Sequence, residues 1–183
     1  MYGIYHNIDW LLRGWLMSLL SVKGNNLKYG VELGTYRGDT TFFLLDCVSD
    51  LRLHTVDIFE QQPNHPSYNH AKYDFTDLYP AFLEKAKKYG DRLIVHKGLT
   101  HEVAKEVPNA SLDFVFIDAD HEYEGCKQDI LDWRPKVRPG GLLMGHDINM
   151  PGVRRAVDEC CDADTNYDHY CWIEPQPLLK SVK

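Results

Sequence analysis

The sequence predicts an α/β fold, a doubly wound and mostly parallel sheet with helices on both faces. Three observations carry that prediction. Apolar runs rich in Val, Ile, Leu and Phe recur over residues 29–33, 51–56, 93–96, 112–117 and 142–145, the signature of strands buried on both faces. Segments of helical periodicity separate them. A glycine-bearing turn follows the first run, as expected where such a sheet opens towards a ligand.

Each helix is read from its stripe. Residues 40–48 carry a continuous apolar face, and Leu78, Phe82, Leu83, Ala86 and Tyr89 repeat at three and four residues. Tyr123, Cys126, Ile130 and Trp133 do the same, as do Val153, Ala156, Val157 and Cys160. Strands alternating with helices require right-handed crossovers and a parallel sheet, hence a Rossmann-like architecture. A helix over about 8–22 precedes the first strand, and residues 168–173 are expected to add a last edge strand. The whole chain, 1–183, reads as one domain, with a core over about 27–161 and an edge strand and tail over 162–183.

Composition narrows the function. Hydrophobic residues at 44% and charged residues at 26% fit a folded globular chain, and a net charge of -7 argues against nucleic acid as a partner. The apolar stretch over 10–20 contains Arg13, is too short to cross a bilayer, and lacks the marks of a signal peptide, so a cytoplasmic protein without a membrane partner is expected. Five cysteines with no CxxC pair are expected to be reduced. The irregular segment 60–75, with Pro63, Pro66, His65 and Tyr68, reads either as a lid over a site or as a plain surface excursion.

Two chemical clusters stand out. After the first strand comes Glu32-Leu33-Gly34-Thr35-Tyr36-Arg37-Gly38, and the second strand ends in Val56-Asp57, where a carboxylate can accept hydrogen bonds from a ribose diol. Tight turning and capping are the bland explanations of the same residues. The fourth strand runs into Asp118-Ala119-Asp120-His121-Glu122-Tyr123, and the fifth into Gly145-His146-Asp147. Adjacent strands bring Asp118, His146 and Asp147 to one sheet end, a plausible divalent-metal set. Asp120 serves equally well as a cap for the next helix.

Together with Pro139-Gly140-Gly141, these motifs resemble those of class I S-adenosylmethionine-dependent methyltransferases, in particular a small bacterial and phage branch with D-x-D-H-x-Y and His-Asp motifs. The resemblance implies a cofactor site at Glu32, Gly34, Thr35, Tyr36, Gly38, Thr40, Asp57, Ile58, Gly98, Leu99, Thr100 and Asp118. It also implies that Leu99 packs on the base, in a loop that lacks the acid many relatives offer to the adenine amine. Metal-dependent catechol and caffeoyl-coenzyme A O-methyltransferases have an Asp at the position of Asp118, an Asp-Asn pair where this chain has His146-Asp147, and a lysine base where it has His121. Asp118 and His121 are therefore the catalytic candidates, Asp118, His146 and Asp147 the candidate ligands of magnesium, manganese or calcium. The acceptor implied is a hydroxyl of a small molecule or sugar, chosen by the N-terminal helix, the 60–75 segment and a tail bearing Trp172, Pro175 and Pro177; a homo-oligomer is allowed. A non-catalytic cofactor-binding module is the alternative from another class. An NAD-dependent oxidoreductase is weaker, because Gly34-x-x-x-Gly38 is not the dinucleotide spacing.

Overall fold

The computed structural model describes residues 3–21, 26–62, 65, 75–162, 166–168 and 170–177. Its elements run α1 (Gly3–Ser21), β1 (Tyr29–Leu33), α2 (Asp39–Cys47), β2 (Arg52–Asp57), α3 (Leu78–Ala86), β3 (Leu93–Lys97), α4 (Thr100–Val103) and β4 (Leu112–Ile117). Then follow α5 (Tyr123–Trp133), β5 (Val137–Gly145), α6 (Pro151–Cys160), β6 (Asn166–Asp168) and β7 (Cys171–Pro175), with 3-10 turns at Lys87–Arg92 and Arg134–Lys136.

The strands form one sheet in the order β3-β2-β1-β4-β5-β7-β6, parallel from β3 to β5. The strand order reverses between β1 and β4, and that switch point opens the crevice at the carboxyl ends of the strands. Alternation along β4 divides the core: Phe114 and Phe116 face α1, α2 and α3, whereas Val115 and Ile117 face α4, α5 and α6. Leu12, Leu16 and Leu20, four residues apart, lay α1 onto the first layer, and Trp133, Val153 and Val157 fill the second. Gly30 is needed for this packing, since a Cβ there would stand 2.4 Å from the ring of Phe114.

Two sequence expectations are corrected. The tail does not add a single edge strand over 168–173: β6 and β7 form a hairpin, and β7 inserts antiparallel between β5 and β6. The turn residues at 170 hide this, because the two strands are too short for their alternation to be read. Pro139-Gly140-Gly141 is likewise no turn before the fifth strand but an irregularity inside β5, where the pairing with β4 slips between Leu112 and Phe114. Gly140 takes a φ of 75° there. The first helix starts at Gly3, earlier than its stripe suggests, and Val22 lies outside the described residues, as do 63–64 and 66–74 of the irregular segment. All five cysteines carry free thiols. No helix among the described residues is long and apolar enough to cross a membrane.

Candidate active site

At the carboxyl end of β1 the chain turns through Gly34, with φ of 83°, and a Cβ there would meet the backbone oxygen of Asp118 at 2.0 Å. Only glycine fits that position. The Gly34 N–H donates to the Val56 carbonyl at 2.9 Å and the Asp118 N–H to the Leu33 carbonyl at 2.8 Å, so the loops after β1, β2 and β4 are laced together. Gly38, with φ of 78°, precedes α2; its missing side chain leaves room for Phe42 and Phe82.

These loops enclose a cavity of about 940 Å³, a size suited to a nucleoside-bearing ligand. Glu32, Gly34, Thr35, Tyr36, Thr40, Asp57, Ile58, Gly98, Leu99, Thr100, Asp118, His121, His146 and Asp147 all line it. Gly38 does not, and its role is packing.

Two carboxyl groups serve the first half of the cavity. Asp57 ends β2 with both oxygens engaged: the Tyr36 N–H donates to one at 2.7 Å and the Phe59 N–H to the other at 2.6 Å. Each oxygen keeps a further lone pair, so the group is fixed yet still able to accept. Glu32, only 3% exposed, accepts from the hydroxyls of Thr41 and Thr35, the latter at 3.3 Å. Burial pushes its carboxyl up to about 8, with the charges of Asp118 and Asp57 adding to the effect and the two hydroxyls opposing it. A cation in the cavity would convert it to a carboxylate. This hydroxyl-lined acid, completed by a bond between Thr35 and Thr55, was not legible in the sequence beyond Glu32 itself.

The second half gathers around Asp118, His121 and Asp147. His121 Nε2 lies 2.8 Å from Asp147 Oδ2 and 3.7 Å from Asp118 Oδ1, and His146 Nδ1 lies 3.4 and 3.5 Å from the same two oxygens. Ligand atoms of Asp118, His121 and Asp147 fall within 4.8 Å of one another. The metal-capable group thus includes His121, where the sequence pointed to His146; His146 stands just behind, its Nε2 buried with no hydrogen-bond partner among the described residues. Burial disfavours charge on either imidazole, but the two carboxylates outweigh it and push both up to about 10. Burial acts the other way on Asp147, whose hydrogen bonds to His121 and His146 hold it below the usual carboxylate range. Charge in this cluster is therefore balanced from within. Asp147 sits at φ 53°, a left-handed backbone that Asp tolerates better than most residues.

Other expectations resolve locally. Asp120 does not cap α5, whose N-cap is Glu122; it accepts the Glu122 N–H at 2.8 Å in the turn before the helix, while its other oxygen lies 3.0 Å from His65 Nε2. Gly125 leaves it space. His54 and His96 bond to each other at 2.8 Å, away from the cavity lining. Trp172 is fully buried in the core and cannot contact an acceptor; Leu12, Arg13, Phe75, Asn149 and Tyr170 line that side instead.

With this geometry in place, the chain is seen to belong to the methyltransferase-domain family, whose model matches residues 31–148. Solved structures of the same fold include a putative caffeoyl-CoA O-methyltransferase from Staphylococcus aureus, 17% identical, with a TM-score of 0.68 over 91% of this chain and 83% of that one. A calicheamicin methyltransferase is 15% identical with a TM-score of 0.68, over 94% and 80% of the two chains. An O-methyltransferase from Bacillus cereus, in complex with S-adenosylhomocysteine, is 18% identical with a TM-score of 0.63, over 91% and 81%. At these identities the likeness is one of fold. No curated protein matches the chain.

Proposed function

We propose that the protein transfers a methyl group from S-adenosylmethionine to a hydroxyl of a small molecule or sugar, with a divalent cation held by Asp118, His121 and Asp147. The observation that carries this reading is the meeting, in one cavity, of two acids, Glu32 and Asp57, with that acid-imidazole cluster. The D-x-D-H-x-Y and His-Asp motifs that suggested a small bacterial and phage branch supply the cluster.

The residues present fit both groups. Buried Glu32 suits the ammonium of a methionine moiety, Asp57 the two hydroxyls of a ribose, and the cluster offers two carboxylate oxygens and an imidazole nitrogen, a donor set taken by magnesium or manganese. Bound S-adenosylmethionine supplies an electrophilic methyl group, and a bound cation lowers the pKa of an acceptor hydroxyl. Asp118 and Asp147 would orient that hydroxyl. His121 would be a ligand while a cation is bound and could take the proton only in its absence, and His146 would keep Asp147 in place. Leu12, Arg13, Phe75 and Tyr170 would exclude water and select the acceptor.

The test is a methyl-transfer screen against hydroxyl-bearing compounds, run with and without magnesium or manganese. Methylated product in any arm supports the enzyme. Binding of S-adenosylhomocysteine with no turnover of any acceptor would favour a non-catalytic module.

A further inference from the structure

The proposed function leaves one buried acid of the cavity without a task. Asp129 lies on the apolar stripe of α5, between Cys126, Ile130 and Trp133, is only 2% exposed, and borders the cavity beside Thr100. The Thr100 hydroxyl donates to its Oδ1 at 2.5 Å. Among the described residues Oδ2 accepts no hydrogen bond and the carboxyl forms no ion pair. A carboxyl sealed in a core with one donor is costly, and an apolar residue would pack that stripe at no such cost.

Its position says what it faces. β2 and β3 are neighbours, with Asp57 opposite Lys97, and the Gly98 N–H donates to the Asp57 carbonyl at 2.9 Å. Gly98, Leu99 and Thr100 therefore lie on the far side of Asp57 from Glu32 and Gly34. A nucleoside whose ribose rests on Asp57 and whose tail points to Glu32 must send its base towards Thr100, and so towards Asp129. The loop His96-Lys97-Gly98-Leu99-Thr100 itself contains no acid.

We propose that Asp129, from the neighbouring helix, recognises the adenine ring by accepting a hydrogen bond from its exocyclic 6-amine, with Thr100 holding the carboxyl in place. This rests on the S-adenosylmethionine reading above. Burial, reinforced by Asp120 and Asp132 against the Thr100 bond, pushes the acid up to about 7, so the empty cavity does not hold a full unpaired charge. A 6-oxo base would present an acceptor to the ionised carboxylate and be rejected above pH about 7, where the acid no longer has a proton to donate.

Calorimetric titration of the intact chain at pH 8, where the acid is mostly ionised, with S-adenosylhomocysteine and with S-inosylhomocysteine, its 6-oxo counterpart, tests the assignment. Wild type should bind the adenine compound about tenfold or more tightly, the worth of one hydrogen bond to an ionisable buried group. Asp129→Leu, nearly isosteric and free of the buried acid, should bring the two affinities within about threefold by weakening the adenine compound alone. Equal affinities in wild type, or an unchanged ratio in Asp129→Leu, would overturn the proposal, and the first of these needs no variant. Wild type that binds neither nucleoside would overturn the methyl-donor reading and this one with it, whereas binding of both alike overturns this one only.

Discussion

The α-carbon of Gly34 lies so close to the carbonyl of Asp118 that a methyl group between them would stand 2.0 Å from the oxygen. The turn after β1 and the loop that bears the acid cluster are thus one packed unit, and neither can shift alone.

Gly34→Ala should therefore lower stability and ligand binding together. The left-handed backbone alone costs about 1–2 kcal/mol for a residue with a Cβ, and the overlap with Asp118 adds to it. Gly38→Ala, whose Cβ meets only the rings of Phe42 and Phe82, should lower the melting temperature while the folded protein keeps its affinity for S-adenosylhomocysteine. Thermal unfolding and calorimetry on the two variants separate these outcomes; an intact melting temperature in Gly34→Ala would contradict the contact.

Glu32 gives the ligand-free protein a pH dependence. Its folded pKa of about 8 lies above the ordinary 4.5, so between those values the folded state binds more protons than the unfolded one. Stability supplied by this group is present below pH about 4.5 and is lost as pH rises through about 8. Urea unfolding at pH 5, 7 and 9 should show Glu32→Gln gaining on wild type as pH rises, while its binding of S-adenosylhomocysteine is lost. A wild-type-minus-variant difference that stays flat would remove the buried-acid assignment.

Asp57 combines a structural and a binding role. Asp57→Ala should weaken S-adenosylhomocysteine by about 1–3 kcal/mol, the cost of hydrogen bonds to a charged group. It should also loosen the turns at Tyr36 and Phe59, whose N–H groups lose their acceptor. Amide hydrogen exchange at those two positions reads the second effect independently of the first.

The cation reading predicts that chelation abolishes methyl transfer and leaves S-adenosylhomocysteine binding intact, with activity restored by magnesium or manganese. Asp147→Asn, which keeps the shape and removes one ligand charge, should reduce activity and demand more metal. Activity unchanged under excess chelator and in Asp147→Asn would leave His121 and His146 to act without metal.

The parallel half of the sheet was legible because each strand is a continuous apolar run, and the site residues were legible because glycine, Asp and His cluster where those runs end. Contacts that depend on tertiary approach were not. Asp129 looks like an ordinary helix residue until Thr100 is placed beside it, and His121 reads as a free base until the two carboxylates close around it. Trp172 resembles a substrate-facing aromatic in a polar tail, yet its indole fills the space that Gly145 leaves open. The hairpin of β6 and β7 escaped notice because strands of three and five residues carry too little pattern.

That hairpin makes the acid cluster depend on a strand that follows it in sequence. The Trp172 indole packs on Gly145, immediately before His146, and the Ile148 N–H donates to the Tyr170 carbonyl at 3.0 Å, just after Asp147. The five parallel strands can pair without β7, yet the loop carrying His146 and Asp147 gains its outer support only when that strand occupies its slot. The nucleoside half of the cavity can thus take shape before the half that holds the acid cluster.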